Sequence, residues 1–194
     1  MSKSNRATIF GASALGLALS ISAIATPSFA EKMEKTVTVG GAEMLPSKNI
    51  VQNASQSKDH TTLVAAVKAA GLVDTLSGKG PFTVFAPTNE AFEMLPKDTV
   101  PTLLKPENKS TLSGILTYHV VAGKFSAADL AAKAKDNGGK VELKTVNGGT
   151  ITIMGENGGW VVVDAKGGKA KITIADVNQS NGVIHVIDHV AMPN

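Results

Sequence analysis

Helical periodicity in the first part of the chain and two-residue alternation in the second predict an α+β fold. Apolar positions recur at i, i+3, i+4 and i+7 through Leu63, Ala66, Val67 and Ala70, and again through Leu112, Ile115, Leu116 and the inward-facing His119. Beyond residue 137, short runs rich in Val, Ile and Thr alternate with glycine-containing turns. Asn-Gly-Gly stands at 137, 147 and 157. That regular step suits an antiparallel meander, because Asn and Gly tolerate the positive φ of tight hairpins.

Each element can be justified in chain order. Residues 1–30 begin with Lys3 and Arg6, continue as an apolar run from Ile9 to Ile24, and end in the small residues around Ser28-Phe29-Ala30. This is the pattern of a secretory signal peptide, and the run is short for a membrane span. Residues 31–46 read as an N-terminal extension: a charged stretch to Lys35, a short edge strand over Thr36–Val39, then Gly40-Gly41 and Pro46 as punctuation. The domain proper is expected over 47–194. A helix over 59–70 stops at Gly71. Phe82 to Ala86 reads as a strand, ended by Pro87. Thr88 or Asn89 offers a side-chain oxygen to cap the next helix, whose Phe92 drops back onto the strand. Short and longer helices follow over 100–104 and 110–119, and Ser126 with Asp129 marks another helix start. Strands are expected over 141–146, 150–154, 160–164 and 170–177.

Composition excludes several function classes. The signal segment holds two of the 19 basic residues and none of the 16 acidic ones, so 17 basic face 16 acidic residues after its removal. Arg6 is the sole arginine. A near-neutral chain without arginine lacks the bidentate forks and the field that nucleic acid binding uses. There is no cysteine, hence no disulfide and no N-terminal lipid-modified Cys. The C-terminal His-Val-Ala-Met-Pro-Asn is not an apolar anchor signal. The expectation is a protein that is secreted or periplasmic, with no stable membrane anchor after signal cleavage.

Three stretches in order, Pro81-Phe-Thr-Val-Phe-Ala-Pro-Thr-Asn-Glu-Ala-Phe92, Tyr118-His119 and Asn181-Gly-Val-Ile-His-Val-Ile-Asp188, resemble the two signature boxes and the Tyr-His motif of the fasciclin domain family, over roughly 47–194. The resemblance implies a wedge-shaped β-sandwich with helices packed along one edge. It makes Thr83, Phe85, Pro87, Thr88, Asn89, Phe92, Gly182, His185 and Ile187 structural signature positions. It also implies candidate adhesion residues. Tyr118 and His119 correspond to a region implicated in integrin adhesion in animal relatives, flanked here by Ile115, Leu116, Val120 and Val121. Asp176-Val177 stands where a second animal motif has Asp-Ile, although Ile174 and Ala175 replace the residues that precede it there. From the residues alone, His119 is either a buried imidazole hydrogen-bonded to a loop or a contact residue. Asp176 is expected on an exposed loop.

No catalytic constellation emerges. Ser113 lacks the preceding glycine of a nucleophile elbow, and Glu90 and Glu93 read as solvated. His185, Asp188 and His189 are the nearest approach to a metal set, but the β-branched surroundings of His185 read as a strand, which holds the two histidines apart. The expected function is non-catalytic and cofactor-free: a secreted adhesion or binding module for a cell-surface or matrix protein or glycan. The alternative is a carrier of a small apolar ligand, held in a cleft between helices and sheet.

Overall fold

A computed structural model describes residues 36–194; the expected signal peptide over 1–30 and the charged stretch 31–35 lie outside the described residues. The chain begins with a hairpin of β1 (Val37–Val39) and β2 (Ala42–Met44). Four helices follow, interrupted by one strand: α1 (Ile50–Ala54), α2 (Thr61–Ala70), α3 (Val73–Ser77), β3 (Phe82–Pro87) and α4 (Asn89–Glu93). Next come α5 (Thr99–Leu103), α6 (Lys109–Tyr118), β4 (Val120–Ala122) and α7 (Ala127–Asp136). The chain then runs through β5 (Lys140–Lys144), β6 (Thr150–Glu156), β7 (Gly159–Val163), β8 (Lys169–Gln179) and β9 (Gly182–Ile187). The segregation of helices before sheet therefore holds only in outline, because β3 and β4 are made amid the helices.

A seven-stranded sheet runs in the order β4-β3-β9-β8-β7-β6-β5. From β5 to β9 it is the antiparallel meander expected from the turn signals. Its centre is different: β3 and β9 pair in parallel, in register from Phe82↔Gly182 to Pro87↔Ile187. The two signature boxes thus lie side by side. Parallel strands are covered on both faces and read as continuous apolar runs, and every residue of β9 is buried, as is all of β3 after Phe82. Gly182 is required there: a Cβ would stand 2.0 Å from the Phe82 carbonyl oxygen.

Alternation along these two strands feeds two cores. Val84, Ala86, Ile184 and Val186 face the helices, packing with Leu63, Val67, Leu112 and Leu116. Phe85 and Ile187 face the folded-over meander, packing with Val141, Ile153, Val162 and Leu130 of α7. The sheet curls so that its two ends approach: Val121 bridges Thr145, and the Val146 amide donates to the Val120 carbonyl at 2.8 Å. This gives the sandwich-like wedge with helices along one side.

Some elements differ from the sequence reading. Residues 37–44, read as part of an extension, form the hairpin whose Val39 and Met44 are buried in the helix-side core. Helices α1 and α3 are five residues each, too short to show a period in the sequence. Asn-Gly-Gly at 147 and 157 turns β5 into β6 and β6 into β7, but at 137 it ends α7, where the Gly139 amide donates to Ala134 at 2.8 Å.

Candidate functional site

Tyr118 and His119 sit where α6 ends, and both are buried, at 1% and 3% exposure. The His119 Nδ1–H donates to the Ile115 carbonyl at 2.8 Å, while Nε2 accepts the Ala191 amide at 3.0 Å. Both nitrogens are used by the neutral ring, and burial lowers its pKa. The Tyr118 hydroxyl donates to the Thr150 carbonyl at 2.8 Å and accepts the Ala165 amide at 2.9 Å. Burial raises its pKa. The pair therefore clamps the C-terminal tail, β6 and the β7–β8 turn onto α6. A side chain with this exposure and these partners offers no face to another molecule, which favours the buried-imidazole alternative for His119.

Asp176 is a correction. It is half-buried within β8 rather than exposed on a loop, because β8 is bulged between Ile174 and Val177. The bulge puts Asp176 at φ +58°, and its Oδ1 accepts the Ala127 amide, the first of α7, at 2.7 Å. Val177 is 1% exposed and belongs to the helix-side core. Asp176 also donates its own amide to His185 Nδ1 at 3.3 Å, and His185 Nε2–H donates to the Phe125 carbonyl at 2.8 Å. His185 is fully buried, stacked on Phe85 at 5.6 Å, and burial lowers its pKa.

The first signature box reaches the same place. Thr83 Oγ1 donates to the Gly123 carbonyl at 2.7 Å and accepts the Phe125 amide at 2.9 Å. Thr83, Asp176 and His185, from three neighbouring strands, thus fix the loop 123–127 and the start of α7. Ser126 and Asp129 complete the helix start as a capping box, and Asp129 is held below the usual carboxylate range by its hydrogen bonds to Ser126. At the other end of the box, Thr88 caps α4 through the Ala91 amide at 3.3 Å. Asn89 does not cap; it ties Lys58, Thr61 and Thr62 to the strand end.

Two concavities bear on binding. An apolar cavity of about 30 Å³ lies between the helices and β3, lined by residues including Leu63, Val67, Leu76, Val84, Leu116 and His119. A benzene-sized guest needs a cavity on the order of 150 Å³. The other is an open groove of about 860 Å³ where β4 and β5 diverge beyond the Val121–Thr145 bridge, walled by α7. Phe125, Val121 and Val141 line it, with Lys133, Lys140 and Lys144 around them. No sequence motif marked this groove. The outward charges of Lys-Val-Glu-Leu-Lys at 140–144 were its one legible trace. Among the described residues, no group of three His, Cys, Asp or Glu could hold a metal ion, and no helix is long and apolar enough to cross a membrane.

Comparison with known proteins finds the fasciclin domain over residues 58–193. The chain is 45% identical to "Protein sll1483" of Synechocystis, over 92% of this chain and 91% of that one. It is 36% identical to the "Immunogenic protein MPB70" of Mycobacterium bovis, over 72% of this chain and 66% of that one. It is also similar to the pig "Transforming growth factor-beta-induced protein ig-h3", at 37% identity over 68% of this chain and 17% of that protein. In three dimensions it matches a FAS1 domain pair from the insect cell adhesion molecule fasciclin I, with a TM-score of 0.67 at 21% identity, over 75% of this chain and 51% of that one.

Proposed function

The chain belongs to the fasciclin domain family, and from that premise we propose that it is a non-catalytic binding module. It works outside the cytoplasm, in the periplasm or beyond the cell, and contacts a cell-surface or matrix protein or glycan. One structural neighbour is a cell adhesion molecule by name, which supports adhesion as the kind of contact. The observation that carries the reading is the contrast in concavities. The apolar cavity between the helices and β3 is about 30 Å³, whereas the groove between β4 and β5 is open and about 860 Å³. That arrangement suits a partner that lies along the surface and gives little room to a carried small molecule. The buried Tyr118, His119 and Val177 support the partner surface; they do not form it.

The test is binding of the mature protein, immobilised, to cells and extracellular matrix of its own host. Saturable adhesion is expected. Native mass spectrometry of protein purified from that host separates the alternative: a small apolar molecule retained in stoichiometric amount, with no adhesion, would replace the module with a carrier.

A further inference from the structure

We propose that the groove between β4 and β5 binds an extended, acidic peptide segment of another protein, which adds as a strand to the outer edge of β5. The inference rests on the binding-module reading and assigns its surface. Among the described residues, β5 pairs only with β6, so its other edge is unpaired. The Thr145 amide donates to the Gly149 carbonyl, which makes Thr145 and Gly149 a hydrogen-bonded pair. Alternation then turns the backbone groups of Leu143 and Val141 toward β6 and those of Lys144, Glu142 and Lys140 outward. The Lys140 amide is taken by the Asn137 carbonyl at 3.3 Å; the Glu142 amide and carbonyl and the Lys144 amide are left facing outward in the strand spacing that peptide addition uses.

Charge complementarity selects the occupant. Lys133, Lys140 and Lys144 line the groove against the single acid Glu142, on a chain that is otherwise near neutral. Lysines on an edge strand discourage pairing with another basic or identical edge. A second copy in antiparallel register about Glu142 would set Lys140 against Lys144 and Glu142 against Glu142, like charges facing like. An acidic strand meets the opposite sign at both lysines. Phe125, Val121 and Val141 give its alternate side chains an apolar floor. Lys133 is held at the wall by α7, with its ammonium 5.7 Å from the centre of the Phe125 ring.

The probe is a blocked peptide of alternating glutamate and valine, titrated into isotope-labelled mature protein at low salt. A lysine–valine peptide and polygalacturonate are run alongside. The expected result is binding of the acidic peptide with slowed amide exchange at Glu142 and Lys144, and none with the basic peptide. Lys140→Glu with Lys144→Glu should weaken binding at least tenfold. Glu142→Pro removes an outward N–H without touching the β6 ladder and should abolish the amide protection while the thermal melt stays cooperative. Binding of the acidic peptide or of polygalacturonate that leaves those amides exchanging freely would overturn strand addition. Absence of peptide binding while the protein still adheres to cells would overturn the inference and leave the module reading standing.

Discussion

The parallel pair β3–β9 and the groove between β4 and β5 lie in one sheet and answer to different demands. The first is buried on both faces, apolar, and paired along its whole length. The second is an open seam with lysines and an unpaired edge. The residues that make the family legible are concentrated in the first, where the backbone needs Gly182 and where Thr83 and His185 hold a loop. The residues that touch solvent are in the second. A signature can therefore report the fold with little information about the partner.

Substitutions in the parallel pair should have the largest effects. Gly182→Val drives its Cβ into the Phe82 carbonyl, forcing β3 and β9 apart; a loss of about 4 kcal/mol or more is expected. Ile187→Ala, at a fully buried position, should cost about 2–5 kcal/mol in denaturant unfolding. A Gly182→Val melt close to wild type would mean the two boxes are not neighbouring strands.

His119→Ala should cost about 2–4 kcal/mol, through a cavity and two partners left without hydrogen bonds, Ile115 and Ala191. Adhesion should fall only as far as unfolding removes the protein. A variant that melts normally and fails to adhere would make His119 a contact residue after all.

Acid offers a gentler way to load the same core. His60, His119 and His185 are buried and all have lowered pKa values, chiefly from burial. Each folded pKa lies below the unfolded value of about 6.5, so the unfolded chain takes up protons first. Stability is undiminished above that pH and falls as pH drops through the window between the unfolded and folded values. The slope is at most about 1.4 kcal/mol per pH unit for each histidine. His60 adds a further sensitivity: Nδ1 meets Ser57 Oγ at 2.9 Å, but Nε2 is buried without a partner. Urea unfolding at pH 7.5 and pH 5.5 checks the sign; equal midpoints would mean these rings are not held neutral.

How much could be read from the sequence follows the same division. The helix over 59–70 and the capping by Ser126 and Asp129 depend on neighbours in the chain, and local pattern shows them. The pairing of residues 82–87 with 182–187 depends on contacts a hundred residues apart, which no local period encodes. Asp before a polar turn looks like a loop residue, so the sequence places Asp176 on a loop and not in β8. Its left-handed φ and its bond to Ala127 arise from a bulge that only the paired strand defines. The groove shows in the sequence only as the charges of 140–144, because its shape comes from two strands that diverge beyond the Val121–Thr145 bridge.

Asp176 tests the boundary between the two regions. Asp176→Ala loses the Ala127 contact and leaves alanine at φ +58°, so about 1–2 kcal/mol should be lost. Asp176→Asn keeps an acceptor and tolerates that backbone, and should lose less than half as much. If adhesion falls in Asp176→Ala, it should recover in Asp176→Asn, because the charge is spent on α7 and not on a partner. Equal loss of adhesion in both variants, with melts unchanged, would return Asp176 to the contact surface.

The smallest stability effect belongs to the seam. Lys140→Glu and Lys144→Glu alter exposed side chains on β5, and each should leave the denaturant midpoint within about 0.5 kcal/mol of wild type. Their effect on adhesion should be large if the groove is the contact surface. Salt sharpens the comparison: added sodium chloride screens exposed charges over about 10 Å at 0.1 M. Wild-type adhesion should weaken with salt, while stability, which rests on the buried pair β3–β9, should barely change. Adhesion indifferent to both the substitutions and the salt would separate the groove from the module's activity and leave the contact to the other exposed faces of the sheet.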